Sequence, residues 1–465
     1  MKPWLKYLIL VAGLGLLTNC SDDRTVVFDG PVIVIGVDTF RGDFLGVAGM
    51  DSLRTPHIDA LAVDGVYFPE CRSTSPWTGP SFASIFTGLQ PYRHGFLGGK
   101  YLRLADEHVT VAEYFQDEGL PTAAFVTIGW LTHGFGMAQG YGTGTKIPDN
   151  SDGLASQEVA RHGLRFAAQH RDEPFYLFLH FFDAHAPYTP PAPFDGMYYD
   201  GKKDAPGEPL LDFLKSDRNQ VFNAENKAQM YDWLDGVTDF NYPVRQYAAG
   251  ISYVDHMVGE VVAGLKEQGL YDKALIVLVG DHGEHLGEHQ LYFTHSMPFD
   301  EAIKVPLMIK WPAGTHGGTV VPAAVSTVDV LPTILAITGR RARADFDGVD
   351  LSDLAAHPEG ASRSVIMAEE GPSDERFVKT LVRGQWKLMV YWFDGRRVPT
   401  LFDLIADPGE VTDVAAQNPA VVAELMKELG DVIDLERPHT IAPALEPVGR
   451  SPETLRKLRS LGYVH

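Results

Sequence analysis

Cysteine is all but missing from this sequence: Cys20 and Cys71 are its only two. That is too few for the disulfide framework of a small secreted scaffold. Positive charge is also short, with 39 Lys and Arg against 61 Asp and Glu and a formal charge of −22. So acidic a surface repels phosphate backbones, which excludes a nucleic-acid duplex as partner. It also requires that an anionic substrate be held by a strong local positive field, because the global field opposes it. There is no internal repeat and no low-complexity block, so solenoids, propellers and disordered linkers are excluded as the main architecture. What remains is ordinary globular material, 45% apolar and 22% charged, in a chain of 465 residues that is too long for one minimal domain.

The first twenty residues read as an export signal. Lys2 and Lys6 precede an apolar run from Tyr7 to Leu17, which suits a signal-peptide core and is short for a membrane span. Leu17-Thr18-Asn19-Cys20 resembles a bacterial lipobox, although Asn19 stands where a small residue is usual. The expectation is cleavage before Cys20, acylation of its thiol and, with Ser21 following, an outer-membrane anchor. A soluble secreted form and an uncleaved anchor are the alternatives. Acylation would leave Cys71 as the single thiol, with no intramolecular disulfide available. Residues 21–30 then form a linker.

Short apolar runs at Pro31–Val37, Ala123–Val126, Phe175–Phe182, Ala274–Gly280 and Val305–Lys310 read as buried parallel strands. Helical spacing of apolar residues separates them, as in Glu158–Gln169 and Tyr253–Glu267. The alternation predicts an α/β fold, a doubly wound, mostly parallel sheet with helices on both faces, over residues 31–360. Within it, Pro190–Tyr242 is rich in Pro, Asp, Gly and aromatics and reads as an insertion beside the site, either a surface excursion or a substrate-contacting lid. From residue 361 the pattern changes to short strands at Ser364–Ala368 and Trp386–Tyr391, an acidic loop at Ala406–Glu410 and a helix near Val421–Leu429. This predicts a smaller C-terminal α+β subdomain, with Leu455–His465 as a docking tail.

Chemistry gathers at strand ends. Val32–Val37 is followed at once by Asp38, and Leu275–Val279 is followed closely by Asp281-His282-Gly283-Glu284. In open parallel sheets ligands collect beyond the carboxyl ends of the strands. Two Asp and a His placed there can turn toward one ion, offering hard oxygen and imidazole nitrogen. A strand-end Asp often merely caps the next helix; the pair together predicts a shared metal site. In Ser75-Pro76-Trp77-Thr78-Gly79-Pro80-Ser81, Pro80 suits a first helical turn and Gly88 a helix end. Thr78 therefore falls at a helix N-terminus, where free N–H groups favour an anion. Its bland reading is an N-cap; its chemical reading is a nucleophile.

These segments together resemble the sulfatase-like branch of the alkaline phosphatase superfamily. Thr78-Gly79-Pro80-Ser81 through Thr87-Gly88 is similar to the sulfatase signature C-x-P-S-R with its downstream T-G. Asp38 with Arg41 and Asp43, the Asp281–Glu284 run, Val305-Pro306-Leu307 and Leu401-Phe402-Asp403-Leu404 follow in the family's order. Two departures matter. Thr78 replaces the Cys or Ser that matures to formylglycine, and Phe82 replaces the Arg of the signature. The resemblance then implies no formylglycine and a Thr-nucleophile branch like the phosphodiesterases and phosphoglycerol transferases. Thr39 stands where a second carboxylate is common, which leaves Asp38, Thr78, Asp281 and His282 as a one-metal set. That mixed set suits Mn²⁺ or Zn²⁺ better than Ca²⁺ or Mg²⁺, which want more oxygen ligands. By the same resemblance His185 lies near the leaving group, and His295 falls where many sulfatases carry a substrate-binding Lys. His285 and His289 are left outside the site, and Lys100 reads as a surface turn.

The expected activity is hydrolysis of an anionic ester, phosphoric or sulfuric, through attack by Thr78 and a covalent intermediate. A sulfatase proper is the first alternative, and a catalytically dead surface lipoprotein that binds anionic glycans is the second.

Overall fold

The computed structural model describes residues 28–97, 103–146, 155–207, 209–215, 231–360, 363, 365–373, 376–393 and 396–435. The expected signal segment and lipobox, Lys100 and the tail from Leu455 to His465 lie outside them.

The central sheet has eight strands: β1 (Val32–Val37), β2 (Val66–Phe68), β3 (Thr122–Phe125), β4 (Thr143–Lys146), β5 (Tyr176–Phe181), β6 (Leu275–Gly280), β7 (Leu307–Lys310) and β8 (Thr319–Val320). Their order across the sheet is β8-β2-β7-β6-β1-β5-β3-β4. Side chains alternate between faces along each strand, so a strand buried on both faces must be apolar throughout. β1 shows this directly. Ile33, Ile35 and Val37 enter one core, while Val32 and Val34 enter the other. Against the first face pack α1 (Pro56–Asp64), and, after α2 (Thr78–Thr87), α3 (Ala155–Gln169) and α4 (Asn241–Glu267). Against the second pack α2 and α5 (Val330–Thr338). The doubly wound, mostly parallel architecture expected from the sequence is what the chain adopts.

One strand differs from expectation. β7 runs antiparallel to both its neighbours, β6 and β2, not parallel. The cause is the connection. A parallel neighbour needs a crossover that carries the chain back to the opposite edge of the sheet. Residues 281–306 make none, and Gly280 N–H donates to Pro306 O at 3.0 Å. The chain thus re-enters the sheet at the edge it left and must run the other way. α4 also begins earlier than its periodicity suggested, at Asn241, with Pro243 in its first turn. The described parts of 190–242 contain short helical turns and no strand.

The C-terminal sheet is a meander of β9 (Ile366–Ser373), β10 (Arg376–Arg383), β11 (Trp386–Phe393) and β12 (Arg396–Asp403), all antiparallel. Helix α6 (Pro419–Val432) buries Leu425 and Leu429 in the core it shares with β10, β11 and β12. A buried charge cluster joins this sheet to the loops of the central sheet. Lys387 Nζ lies 2.9 Å from Asp300 Oδ1 and 2.7 Å from Glu410 Oε1, and Arg72 Nη2 reaches Asp300 Oδ2 at 2.6 Å. Removing one member of a buried ion cluster strands the others. Lys387→Met is therefore expected to cost about 3 kcal/mol or more of stability. Equilibrium urea denaturation measures it, and a change within about 0.5 kcal/mol, the size usual for a surface substitution, would reject the clamp.

Candidate active site

β1 and β6 are adjacent and parallel, with Val37 opposite Gly280. The next residue on each strand, Asp38 and Asp281, must then fall side by side at the carboxyl edge. Both still belong to the ladder: Asp38 N–H donates to Phe181 O at 2.9 Å, and Asp281 N–H to Val37 O at 3.2 Å. Thr39 then turns with φ 49°, an uncommon setting for a β-branched residue. Its N–H donates to Asp281 Oδ1 at 3.1 Å, and its carbonyl accepts the Tyr247 hydroxyl from α4 at 2.7 Å. Asp281 Oδ1 also accepts the His282 N–H at 2.7 Å. One carboxylate oxygen is therefore committed to the backbone, and Oδ2 is left facing inward.

His282 is oriented in the same way. Its Nδ1 sits 2.9 Å from Gly283 O, which directs Nε2 at the cluster, 3.5 Å from both Asp38 Oδ1 and Asp281 Oδ2. Gly283 has to be glycine, since a Cβ would lie 2.0 Å from the Glu301 carbonyl oxygen. Asp38, Asp281 and His282 are buried, and each offers a ligand atom within 4.8 Å of the others, which is the one such group among the described residues. Asp38 Oδ1 and Asp281 Oδ2 have no hydrogen-bond partner. Buried carboxylate oxygens facing one another without a donor are costly, and a cation between them removes that cost. The residues fit a divalent metal.

The electrostatics agree. Burial, then the charge of Asp38, pushes the Asp281 carboxyl well up. Burial would raise Asp38 too, but the contact with His180 and the fields of His185 and His282 carry it below its usual value. Burial lowers His282 to about 4, so the ring is neutral at pH 7, the form that binds metal. Glu284, next in the loop, is raised to about 8 by burial and accepts the Tyr188 hydroxyl at 2.9 Å.

Thr78 opens α2. Trp77 before it is extended, Pro80 follows in the first turn, and Ser81 Oγ donates to Asp281 O at 2.6 Å, which ties the helix start to the end of β6. Thr78 Oγ1 consequently lies 3.2 Å from His282 Nε2 and 3.5 Å from Asp38 Oδ2. The two remaining expected residues stand around this centre. The His295 ring is 4.4 Å from that of His282, edge-on to Trp77 at 4.5 Å, with Nδ1 2.6 Å from Pro76 O. His185 stacks on Phe182 at 4.5 Å, has Nδ1 2.6 Å from Ala186 O and lies 5.6 Å from His295, ring to ring. Burial, then His282 and His185, hold His295 well below the usual histidine range. Chemically the arrangement offers a hydroxyl above a cation-ready cluster, with two imidazoles alongside.

Sequence reasoning missed two participants. His180 on β5 directs Nε2 to within 3.4 Å of Asp38 Oδ2, and its Nδ1 lies 2.8 Å from Thr127 Oγ1. The signal was a lone histidine in an apolar strand, in step with Tyr176 and Phe178, which face α2. Glu370 on β9 accepts Trp77 Nε1–H at 3.2 Å and Met297 N–H at 2.8 Å, bracing both segments that carry Thr78 and His295. Arg41 does not turn to the cluster. Its guanidinium bonds Asp43, Glu288 and the Glu284 carbonyl, and so fixes the loop. His289 stacks on Phe299 at 3.7 Å and pairs with Glu301 at 3.3 Å, a packing role apart from the metal group.

The sulfatase family profile matches residues 31–340, and that of the N-sulphoglucosamine sulphohydrolase C-terminal family matches residues 287–435. An arylsulfatase of Clostridium perfringens is 24% identical over 446 residues, covering 82% of this chain and 89% of its own. A choline-sulfatase of Rhizobium meliloti is 27% identical over 438 residues, covering 83% and 82%. Among solved structures, the phosphonate monoester hydrolase of Agrobacterium radiobacter superposes with a TM-score of 0.70 at 22% identity, over 91% of this chain and 100% of that one. With the family profile spanning the whole doubly wound sheet and its carboxyl-edge cluster, the chain belongs to the sulfatase family and is a hydrolase of that kind.

Proposed function

We propose that the protein hydrolyses singly charged phosphoric esters, diesters or phosphonate monoesters, by double displacement through Thr78. The observation that carries this reading is the Thr78 hydroxyl, 3.2 Å from His282 Nε2 and 3.5 Å from Asp38. Asp38, Asp281 and His282 would hold one divalent ion, with Mn²⁺ or Zn²⁺ suiting two carboxylates, an imidazole and a hydroxyl. When bound, such an ion lowers the pKa of an adjacent hydroxyl and neutralises nonbridging oxygens. The chain's own groups do the rest. The α2 N-terminus points N–H groups at the transferring anion. His295, neutral and with its Nδ1–H on Pro76 O, offers Nε2 as an acceptor for a substrate hydroxyl or N–H. As the bond from Thr78 Oγ1 to phosphorus forms, the bond to the leaving oxygen breaks, and His185 gives that oxygen its proton, a contribution of roughly 10²–10⁴-fold. Water then enters in line and gives a proton back to His185 as its bond to phosphorus forms and the Thr78 Oγ1–phosphorus bond breaks, so that configuration at phosphorus is retained overall.

Phosphorus is preferred over sulfur because a formylglycine hydrate can expel sulfate by elimination from its own carbon, whereas a threonine ester cannot. The names of the curated relatives favour a second reading, a sulfuric ester hydrolase acting with the same residues. Matched aryl phosphodiester, aryl phosphonate and aryl sulfate substrates separate the two. The phosphorus esters are expected to show at least about tenfold higher kcat/KM, equivalent to about 1.4 kcal/mol in the barrier. Higher turnover on the sulfate would reject the first reading in favour of the second.

A further inference from the structure

The groove beneath Asp38 is built differently from the signature that the rest of the site follows. At position 82 that signature carries arginine, and this chain carries phenylalanine. The Phe82 ring is fully buried, edge-on to Phe178 at 5.5 Å and to His180 at 5.2 Å. It lies over Gly36 of β1 so closely that a Cβ there would meet the ring at 2.6 Å. No cation can reach Asp38 from position 82. His180 stands opposite Gly36 on the neighbouring strand, on the same face of the sheet, and is fully buried. Its Nε2 has no hydrogen-bond partner of good geometry and lies 3.4 Å from Asp38 Oδ2. On its other side Nδ1 is 2.8 Å from the Thr127 hydroxyl, which is also buried.

We infer that His180, held by Thr127, is a positioning residue that sets Asp38 for metal binding in place of a group at position 82. This rests on the metal-dependent reading given above. The proton arrangement follows from what each group can do. Asp38 Oδ2 can only accept, so the imidazole proton sits on Nε2 and points at it, and Nδ1 accepts from the Thr127 hydroxyl. A carboxylate fixed at Oδ2 presents Oδ1 to the cluster in one orientation, and Oδ1 is the Asp38 oxygen nearest His282 Nε2, at 3.5 Å. Outer partners of this kind orient metal ligands and raise affinity, and their loss typically costs about 10–100-fold. Thr127 acts one step further out, so its replacement should cost less.

Isothermal calorimetry of the full chain with Mn²⁺, and the visible spectrum of the Co²⁺-loaded protein, test the inference. His180→Leu, which keeps the ring's bulk in an apolar form, is expected to weaken Mn²⁺ binding about 10–100-fold. His180→Gln, which can still donate to Asp38, should recover a large part of that loss. Thr127→Val, nearly isosteric, should weaken binding several-fold without unfolding the protein, which keeps the test valid if His180→Leu folds poorly. The Co²⁺ spectrum should keep its shape in His180→Gln, because no ligand is exchanged. His180→Leu and Thr127→Val proteins that bind Mn²⁺ as tightly as wild type would overturn the inference alone. A changed Co²⁺ spectrum in His180→Gln would overturn it in favour of direct ligation. A wild-type protein that takes up no ion would overturn it together with the metal-dependent reading.

Discussion

Thr78→Ala is expected to lower kcat/KM by on the order of 10⁴–10⁶-fold, the scale seen when a covalent nucleophile is removed. The substitution deletes one hydroxyl and one methyl at the start of α2. No backbone bond depends on them, because the helix start is secured by Ser81 on Asp281 O and by the Ser81 N–H on Trp77 O at 3.0 Å. Folding should survive, and Asp38, Asp281 and His282 should still take up the ion, more weakly for want of the Thr78 hydroxyl, so assays at saturating ion assign the loss to chemistry. Thr78→Ser keeps the oxygen but frees χ1, since the methyl that restricts the rotamer is gone. It should retain activity to within about 10–100-fold, the loss expected from a less well-positioned attacking oxygen. Mass spectrometry of intact protein after acid quench supplies the second readout. The wild type should carry a phosphoryl adduct on Thr78 during turnover, and the alanine variant none. Activity of Thr78→Ala within tenfold of wild type would reject Thr78 as the attacking group, whatever the substrate.

The parts of this structure that were legible beforehand share a cause. Strands buried on both faces must be apolar throughout, so β1, β3, β5 and β6 stand out in the sequence within a residue or two, and an Asp directly after such a run can only sit at the sheet's edge. The adjacency of β1 and β6 is what turns two separate strand-end motifs into one cluster, and the expected Thr78 position followed from Pro80 and Gly88. What stayed hidden depends on partners distant in sequence. The reversed direction of β7 is a property of the loop before it, not of Leu307–Lys310. β10 and β12 carry Arg376, Lys379, Arg383, Arg396 and Arg397, and charge at such positions masks a strand unless its partner is known, as with Lys379, which is buried against Glu369. His180 was hidden for a related reason: inside an apolar strand a single histidine reads as a tolerated core residue until Asp38 is found beside it. Glu370 could not be seen at all, because its two hydrogen bonds join residues 73 and 293 positions away.

Removing the ion from metal-loaded enzyme is expected to abolish turnover and to lower thermal stability by more at pH 8 than at pH 6. The sign follows from which groups change protonation in that window. Asp281 is raised far above the ordinary Asp value, so the metal-free folded state holds a proton that the unfolded chain releases near pH 4. A folded-state pKa that is raised gives stability that is lost as pH rises toward it. Glu284, raised to about 8, acts in the same direction. The buried histidines oppose this only at lower pH. His282 and His285, at about 4, are neutral when folded and protonated when unfolded below about 6.5, so their effect is complete by neutrality. Asp38, lowered, matters only below the ordinary Asp value. Groups away from the cluster, such as Lys379, lowered to about 7 by burial, titrate alike with and without the ion and drop out of the difference between the two states. An ion seated between Asp38 and Asp281 displaces the Asp281 proton, and each pH unit over which one proton is displaced strengthens binding by about 1.4 kcal/mol. At an ion concentration near 100 times Kd the stabilisation is about 2.7 kcal/mol, or roughly 3 °C for a chain of this size. Differential scanning of metal-loaded and chelated protein at pH 6, 7 and 8 measures the trend. Asp281→Asn removes both the proton and a ligand, so its melting temperature should respond neither to chelator nor to added ion. A metal increment that is absent, or that shrinks as pH rises, would remove Asp281 from the ligand set.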